Sequence, residues 1–407
     1  MFDTIFEMMK FFHLADLHIG KRVCEHSMLE DQKHILGEIV SMVRDERPDA
    51  VLIAGDVYDK SVPSAEAVGV LDDFLVQLSA TGTQVFVISG NHDSAERIAF
   101  GGRLMASHGV HMSPTYNAQF LPVTLKDELG EVDVWMLPFV RPAEVRSFET
   151  AEGDGDSCVE GGAASVIANF TDAIRVAVSH MQFTPGRRNV LVAHQFVTGA
   201  KVDQGGSEEN VGGLDNADAS AFKGFDYVAL GHIHRPQNIT GDAGQVIRYS
   251  GTPLKYSLSE ATHQKSVTVV ELGAQGASVR EIPLKPLHDV REISGTFAEL
   301  VSPEFRTAQV AAGNKLDDYV YVKLTDENDV LDAAQKLRGV YPNLMMLDYD
   351  NERTRSQQIA VGVEAVEKKS PMELFVEFFC EMNRREINGE ESEFVQSIIE
   401  GIWGDER

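Results

Sequence analysis

The amino-acid sequence predicts an α/β fold, and three observations support that class. Runs of β-branched and apolar residues alternate with stretches of helical periodicity through the first half of the chain. Polar residues of the kinds that bind metals directly follow five of those runs. Apolar residues make up 43% of the 407 residues and charged residues 24%, so the chain is not disordered throughout and is long enough for two to three domains.

The first elements form a repeating pattern of strand, helix and strand. Residues 11–15 predict a strand, apolar residues at helical spacing within 35–43 predict a helix, and residues 50–54 predict the next strand. A second helix is expected after Pro63, which suits a first helical turn, and it leads into the apolar run 85–88. This order is typical of parallel strands joined by crossover helices.

The later elements are shorter and less regular. A hairpin or meander is expected around 120–123 and 132–137, then a helix near 164–181 and strands at 190–193, 227–230, 245–249 and 266–272. We expect the last two strands to be antiparallel and to close a large domain near residue 285. Beyond it the pattern predicts a strand at 319–324, a helix at 330–337 and a strand at 344–347. The predicted division is 1–285, a small α+β domain at 286–360, and a helical region at 361–407.

Aromatic residues recur at helical spacing near the C-terminus, within residues 371–403. Such helices carry more aromatic surface than a peripheral tail usually leaves in water. Packing against the small domain and binding of a partner protein are equally good interpretations.

Charge and cysteine usage exclude several classes of function. With 36 basic against 63 acidic residues the net charge is −27, which argues against nucleic acid as a partner because phosphate backbones are bound by clustered Lys and Arg. The cysteines Cys24, Cys158 and Cys380 form no Cys-x-x-Cys pair, which argues against a disulfide framework and against a thiolate zinc site. With no apolar run of ~18 residues and an acidic N-terminus, we expect a cytoplasmic protein that makes no membrane contact.

Five short motifs lie where predicted strands end. They are Asp16-Leu17-His18, Gly55-Asp56-Val57-Tyr58-Asp59, Gly90-Asn91-His92-Asp93, His194 and Gly231-His232-Ile233-His234. Because the carboxyl ends of parallel strands meet, we expect all five at one edge of one sheet. Each motif alone has an ordinary alternative, as a chance Asp-x-His, a turn or a structural histidine. Together they favour one functional site. If each motif had a separate structural role, each buried polar group would separately cost folding free energy.

The residue types in these motifs indicate a centre for two divalent ions. Carboxylate, amide and imidazole donors without thiolate favour manganese, with iron or zinc as alternatives and magnesium less suited. Asp56, in the middle of the set, is the natural bridging ligand. Two ions ~3.5–4 Å apart can clamp a phosphate oxygen and activate water for attack on phosphorus, which is phosphoester hydrolysis. The candidate ligands are Asp16, His18, Asp56, Asn91, His194, His232 and His234.

Two further residues are candidates for catalysis. His92 follows a candidate ligand, and a protonated imidazole there could protonate the departing oxygen; the alternative is a further metal ligand. Asp59 lies three residues beyond Asp56 and could orient that imidazole and favour its charged form; the alternative is a helix or turn cap.

The motifs DLH, GDVYD, GNHD, AHQ and GHIH resemble those of the calcineurin-like metallophosphoesterase family. Longer stretches such as KFFHLADLHIGK and RYSGTPLKYSLSE are similar to nuclease subunits of bacterial double-strand-break repair complexes in that family, and the likeness covers nearly the whole chain. It implies a four-layer β-sandwich core flanked by helices, with an α+β capping domain and C-terminal helices. It also implies that Asp16, His18, Asp56 and His234 hold one ion and that Asp56, Asn91, His194 and His232 hold the other, with His92 acting on the leaving group.

The resemblance further implies a manganese-dependent exonuclease that also cuts single-stranded or hairpin DNA. It would be a homodimer, through helices after Pro63 and after Ser94, within a heterotetramer that includes a coiled-coil ATPase. The chain has no G-x-x-x-x-G-K-[ST] loop, so ATP hydrolysis would come from that partner. Residues 289–356 would help to hold DNA, and the C-terminal helices would bind the ATPase.

Two alternatives stay open: a phosphoesterase for nucleotides or cyclic nucleotides, and a non-catalytic clamp for DNA ends. The intact ligand set argues against the clamp. Archaeal and eukaryotic relatives carry a histidine at the position of Asp59. The substrate contact that this histidine makes in those proteins therefore cannot be assigned to this chain. The family start resembles Met9 better than Met1. The net charge of the chain is −27 and only its metal site would be positive, so we expect this chain alone to bind DNA weakly and in a salt-sensitive way. A more basic partner would supply much of the affinity for DNA.

Overall fold

The structure is a computed structural model that describes residues 8–152, 167–202, 216–242 and 244–351, together with separate residues between 372 and 399. Residues 1–7, 153–166 and 203–215 lie outside the described residues, as does most of the helical region predicted at 361–407. None of the helices described here combines the length and the apolarity needed to cross a bilayer.

Two six-stranded sheets form the core of the large unit. The strands of the first are β1 (Met9–Leu14), β4 (Ala50–Ala54), β5 (Gln84–Ile88), β6 (Val110–Met112), β13 (Ser266–Gly273) and β14 (Gly276–Pro283). Their order is β14-β13-β1-β4-β5-β6; β1, β4, β5 and β6 are parallel, while β13 and β14 run antiparallel to their neighbours.

The second sheet contains β7 (Val123–Asp127), β8 (Gly130–Leu137), β9 (Arg188–His194), β10 (Tyr227–Gly231), β11 (Gln237–Ile239) and β12 (Val246–Tyr249). Their order is β11-β12-β10-β9-β8-β7. The four central strands are parallel, and an antiparallel strand closes each edge. Two strands of two residues each, β2 (Arg22–Val23) and β3 (His26–Ser27), form a hairpin that belongs to neither sheet.

The two sheets pack face to face, and helices cover their outer faces. Alternate residues of each strand explain this arrangement, because successive side chains point to opposite faces. Phe11, Leu52 and Tyr227 pack between the sheets, whereas Phe12 and Ile53 face the outer helices. The helices are α1 (Leu29–Glu46), α2 (Ala65–Ser79), α3 (Ala95–Ala99) and α4 (Gly102–Met105), then α5 (Pro142–Glu152) and α6 (Phe170–Ser179). The predicted four-layer α/β sandwich is confirmed.

Two details of the sequence-based expectations are wrong. The strand ends carrying the motifs belong to two sheets rather than one, because β1, β4 and β5 lie in the first sheet and β9 and β10 in the second. The strand at Val246–Tyr249 runs parallel to β10, and only its pairing with β11 is antiparallel. Local sequence patterns indicate strands, but they do not encode the partner of each strand.

Helix α2 illustrates how local sequence sets an element's start. It begins at Ala65, because the Ser64 side chain accepts a hydrogen bond from the Ala67 N–H and caps the helix. Pro63 therefore precedes the cap and does not lie in the first turn. The buried face of α2 comprises Ala67, Val70, Leu71, Phe74, Leu75 and Leu78.

A third sheet of three parallel strands forms a separate small unit, residues 290–349. It contains β15 (Val290–Gly295), α7 (Phe297–Leu300), α8 (Pro303–Ala311), β16 (Tyr319–Leu324), α9 (Ala333–Arg338) and β17 (Leu344–Tyr349). The expected strands and helix at 319–347 are present, whereas β15 and α8 were not predicted. β15 buries only Val290 and Ile293 among its six residues, and this spacing of three lacks the alternation that indicates a strand.

The small unit is attached to helix α1 through a buried carboxylate. Asp31, 1% exposed, accepts hydrogen bonds from the Tyr319 hydroxyl at 2.8 Å and from the His288 backbone N–H at 2.9 Å. Tyr319, Tyr321 and Met345 also pack into the apolar cluster beneath α1 and α2. The small unit is therefore fixed against the large one by both polar and apolar contacts.

Candidate metal centre

All five motifs meet where β1, β4, β5, β9 and β10 end. The convergence is direct: the Asp16 N–H donates to the Gly55 carbonyl at 3.0 Å, and the His232 N–H donates to Asp16 Oδ1 at 2.9 Å. Asp16, His18, Asp56 and His194 are fully buried. The structure thus brings together every candidate ligand, although from two sheets.

Asp56 occupies the middle of the cluster. Its Oδ2 atom lies 3.4 Å from His194 Nε2 and 3.8 Å from His18 Nε2, while Oδ1 accepts the His92 N–H at 2.9 Å. Two groups of metal-ligand type have all their donor atoms within 4.8 Å of one another, and Asp56 is in both. These groups are His18, Asp56 and His92, and Asp16, Asp56 and His194.

Ligand atoms crowd together on the His194 side of the cluster. The His194 Nδ1–H donates to the Ala54 carbonyl at 2.8 Å, which leaves Nε2 to face the cluster. That Nε2 lies 3.0 Å from Asn91 Oδ1, and His232 Nδ1 also lies 3.0 Å from the same oxygen. Acceptor atoms so close together need a proton or a cation between them.

The other side of the cluster shows the same crowding. His18 Nε2 lies 3.2 Å from His234 Nε2, and His234 Nδ1 lies 3.2 Å from Glu260 Oε1. Burial, followed by Lys21, lowers the pKa of His18 well below its usual value, so this imidazole is neutral and has a lone pair available. Neutral imidazole is the form that binds metals.

Unsatisfied buried oxygens show that this donor set fits divalent cations. Asp16 Oδ2 and Asp56 Oδ2 are buried and have no hydrogen-bond partner of good geometry. A buried carboxylate oxygen left in this way is costly, and a cation removes that cost. Oxygen and imidazole donors without thiolate suit first-row divalent ions.

The protonation of the cluster reflects its crowded negative charge. Burial and then Asp56 raise the pKa of Asp16 to about 7, against the opposing effects of His194 and His234. Burial disfavours the charged form of His194, but Asp56 and Asp16 outweigh it and raise the pKa of that imidazole to about 9. A proton therefore occupies the His194 region when no metal is bound, and metal binding would release it.

The backbone at the site is strained. Asp16, His18 and Asp56 have φ values of 53°, 43° and 47°, in the left-handed region that non-glycine residues rarely adopt. Such outliers are concentrated at functional sites, because the surrounding structure has to hold them. Gly90 permits the packing here, since a Cβ atom on it would lie 2.1 Å from Asp56 Oδ1.

His92 is oriented by a backbone group, not by the side chain we expected. Its Nδ1–H donates to the Asp59 carbonyl oxygen at 3.1 Å, which turns Nε2 toward Asp56 Oδ2, 3.9 Å away. The Asp59 carboxylate instead accepts from Lys21 Nζ at 2.8 Å and lies 3.7 Å from His18 Nδ1. The expectation that the Asp59 carboxylate orients His92 is therefore wrong. Asp59 contacts His92 through its backbone carbonyl oxygen instead.

Sequence reasoning missed Asp93, the last residue of the GNHD motif. Its carboxylate accepts backbone N–H groups from Val57 at 3.0 Å, Tyr58 at 2.9 Å and Gly90 at 2.9 Å, and so joins two of the ligand loops. Burial, and then Asp56, raises the pKa of Asp93 to about 6. Its position inside a motif was the only signal available.

Glu260 and Lys265 were also missed. Both are buried beside His234, and their charged groups form an ion pair. Burial opposes the ionisation of Glu260, but Lys265 and then His234 hold the pKa of its carboxyl well below its usual value. No local pattern marks them, because Glu260 follows His234 by 26 residues through a loop.

Known proteins match the chain over most of its length. The calcineurin-like phosphoesterase family matches residues 9–236, and a family described as the type 5 capsule protein repressor C-terminal domain matches residues 286–383. The SbcD subunit of the nuclease SbcCD from Staphylococcus epidermidis is 28% identical over 405 residues, covering 97% of this chain and 99% of that protein.

Among solved structures, a dimetal phosphatase from Danio rerio matches with a TM-score of 0.41 and 14% identity, over 69% of this chain and 99% of that one. The first family match contains all five motifs in full and extends through His234, the last candidate ligand. The chain belongs to the calcineurin-like phosphoesterase family.

Proposed function

We propose that this protein is the nuclease subunit of an SbcCD-type complex and hydrolyses DNA phosphodiester bonds with two divalent ions. The observation that carries the proposal is the pair of donor groups that share Asp56 at the meeting point of both sheets. The full-length likeness to a protein named as an SbcCD nuclease subunit supports DNA as the substrate class. Because DNA is the substrate, we infer a cytoplasmic location.

In this proposal Asp16, His18, Asp56 and His234 hold one ion, and Asp56, Asn91, His194 and His232 hold the other. When bound, the ions, for which we propose manganese, offset phosphate charge and lower the pKa of water for in-line attack. The protein contributes the fixed geometry. Backbone hydrogen bonds at Asp16 and Asp56, and the glycines beside them, hold the donor atoms before any substrate arrives.

His92 would act on the leaving group. The Asp59 carbonyl holds its Nδ1–H, so that a proton on Nε2 faces the cluster and is available to the departing 3′ or 5′ oxygen. As the phosphorus–oxygen bond breaks, that oxygen takes the Nε2 proton and leaves as a hydroxyl. Nε2 lies 3.9 Å from Asp56 Oδ2, so a proton on this atom would reach the cluster, as the role of general acid requires.

The small unit and the helical region would adapt this centre to DNA. We propose that residues 1–285 form the nuclease domain, that 286–360 form a cap beside the DNA path, and that 361–407 bind the coiled-coil ATPase SbcC. The chain lacks a phosphate-binding loop, and its net charge is −27, so a partner would supply ATP hydrolysis and much of the affinity for DNA.

A homodimer within the complex is also part of the proposal. Large apolar side chains are exposed on α2 and around α3 and α4, where Phe100 is 84% and Leu104 78% exposed. Val68 and Val76 of α2 are 46% and 60% exposed. Such a concentration of exposed apolar groups is typical of an association surface.

The test is cleavage of end-labelled duplex and hairpin DNA by the purified chain with Mn²⁺, with and without SbcC and ATP. We expect cleavage by the wild type, and a loss of about 10²–10⁴-fold in turnover for His92→Ala with metal binding retained. Asp56→Ala should lose both turnover and metal. His108→Ala and Asp45→Ala, at exposed positions, are the matched controls and should behave as wild type.

Other outcomes would point to other functions. Intact DNA together with hydrolysis of mononucleotides or cyclic nucleotides would replace the nuclease with a small-substrate phosphoesterase. DNA binding without hydrolysis of any phosphoester would indicate a non-catalytic clamp for DNA ends.

A further inference from the structure

A buried ion pair lies behind one of the candidate ligands. Glu260 is 2% and Lys265 is 4% exposed, and Glu260 Oε2 accepts a hydrogen bond from Lys265 Nζ at 2.5 Å. Thr252 also donates to Glu260 Oε2, at 3.2 Å. Neither charged residue belongs to any of the five motifs.

Both members of the pair contact the same histidine. Glu260 Oε1 lies 3.2 Å from His234 Nδ1, and Lys265 Nζ donates to the His234 backbone carbonyl at 3.0 Å. The imidazole and the main chain of His234 are thus held from two directions. With its Nδ1–H given to Glu260, the ring presents Nε2 to the cluster, 3.2 Å from His18 Nε2.

Stability alone is a poor reason for this pair. Taking two charges out of water is expensive, and apolar residues of similar volume are often at least as stabilising. A carboxylate that accepts the second N–H of a metal-binding histidine, however, fixes its tautomer and raises its basicity.

The two sides of the centre differ in this respect. His194 gives its Nδ1–H to the neutral Ala54 carbonyl, whereas His234 faces a charged carboxylate. A charged side chain therefore supports the histidine on the side of the centre that contains His18 and His234.

We propose that Glu260, held in place by Lys265, is a positioning residue that orients His234 and strengthens one of the two metal sites. The inference rests on the proposed two-metal function. It predicts that loss of Glu260 weakens the ion at His18 and His234 by about 10–100-fold and leaves the ion at Asn91, His194 and His232 nearly unchanged.

The experiment is a double-mutant cycle read out by Mn²⁺ binding in calorimetry, without DNA. The proteins are wild type, Glu260→Gln, His234→Ala and the double variant. We expect two ions on the wild type, with one weakened in Glu260→Gln. In the His234→Ala background, Glu260→Gln should have no further effect, because Glu260 acts through that ring. Asp133→Asn, which removes a fully buried acid paired with Arg187 at 3.0 Å, is the matched control and should retain both affinities.

Each outcome decides something. Unchanged Mn²⁺ affinities in Glu260→Gln, or equal losses with and without His234, would overturn the positioning role. A wild type that binds no Mn²⁺ would overturn the proposed function itself. If Glu260→Gln does not fold, Glu260→Leu with Lys265→Met replaces the pair by apolar groups. A purely structural role predicts that this variant restores both stability and metal binding, whereas ours predicts that the single weak site persists.

Discussion

At the scale of single residues, the tightest constraint on the site is steric. Gly90 has a backbone that other residues could adopt, yet its missing Cβ leaves room for the central carboxylate. His13, three residues before the first ligand, is buried between the sheets. Its Nδ1 lies 2.8 Å from the Tyr227 hydroxyl and its Nε2 lies 3.2 Å from the Leu230 carbonyl. Both positions permit predictions that do not depend on the substrate.

We expect Gly90→Ala to abolish metal binding. The added Cβ would lie 2.1 Å from Asp56 Oδ1 and 2.3 Å from the Asp56 nitrogen, so the Asp56 carboxylate must move. The overlap should also cost about 1–3 kcal/mol of unfolding free energy. Calorimetric Mn²⁺ titration and urea denaturation measure the two effects. Gly37→Ala, in helix α1 with open space around it, should instead stabilise the protein slightly, and two intact Mn²⁺ sites in Gly90→Ala would refute the steric argument.

Low pH should destabilise the folded protein because His13 is buried in its neutral form. Burial, and then Arg248, lowers the pKa of His13 from 6.5 to about 3. Between these two pH values the unfolded chain takes up a proton that the folded chain does not, so stability falls as pH falls, by up to about 1.4 kcal/mol per pH unit. Urea unfolding with EDTA between pH 7 and 4 should show a shallower pH dependence for His13→Gln than for wild type. Identical slopes for the two proteins would exclude His13 as the source.

At the scale of elements, the strands that carry motifs could be predicted well, because their apolar runs end abruptly in polar residues. The number of sheets could not, since β5 and β9 have similar local patterns yet pair with different neighbours. The candidate ligands could be predicted from the strand ends, whereas Glu260 depends on a loop contact that no periodicity encodes. For the same reason, nothing in the sequence indicated that Asp31 would bind the small unit.

We expect Asp31→Ala to loosen the small unit from helix α1. The change leaves the Tyr319 hydroxyl and the His288 N–H without their acceptor, at about 1–3 kcal/mol for each unsatisfied group. Hydrogen exchange should then rise in β15 to β17 while the large sheets stay protected. Glu30→Ala, one residue away on the same helix and exposed, should leave exchange unchanged. Uniformly faster exchange over both units would mean that Asp31 supports the whole fold instead.

At the scale of the whole molecule, the candidate ligands join the two sheets. Asp16, Asp56 and Asn91 follow strands of the first sheet, whereas His194 ends β9 and His232 follows β10 in the second. Ions bound between them would therefore cross-link the two halves of the sandwich. A group that binds only the folded state stabilises it by mass action.

Mn²⁺ should accordingly raise the melting temperature. At one hundred times the dissociation constant, the gain is about 2.7 kcal/mol for each site. Differential scanning fluorimetry with Mn²⁺ or EDTA should show a shift of several degrees for wild type and for Asp45→Asn, and a much smaller one for Asp56→Asn. An equal shift in Asp56→Asn would place the bound ion elsewhere.

The division of the ligands between the two sheets also bears on how the protein is made. Asp16 and His232 are 216 residues apart in the chain, and β13, which pairs with β1, is synthesised later still. A growing polypeptide on the ribosome therefore has no complete ligand set until most of its length has emerged. Metal-dependent hydrolysis would therefore arise only after strands of both sheets have been synthesised.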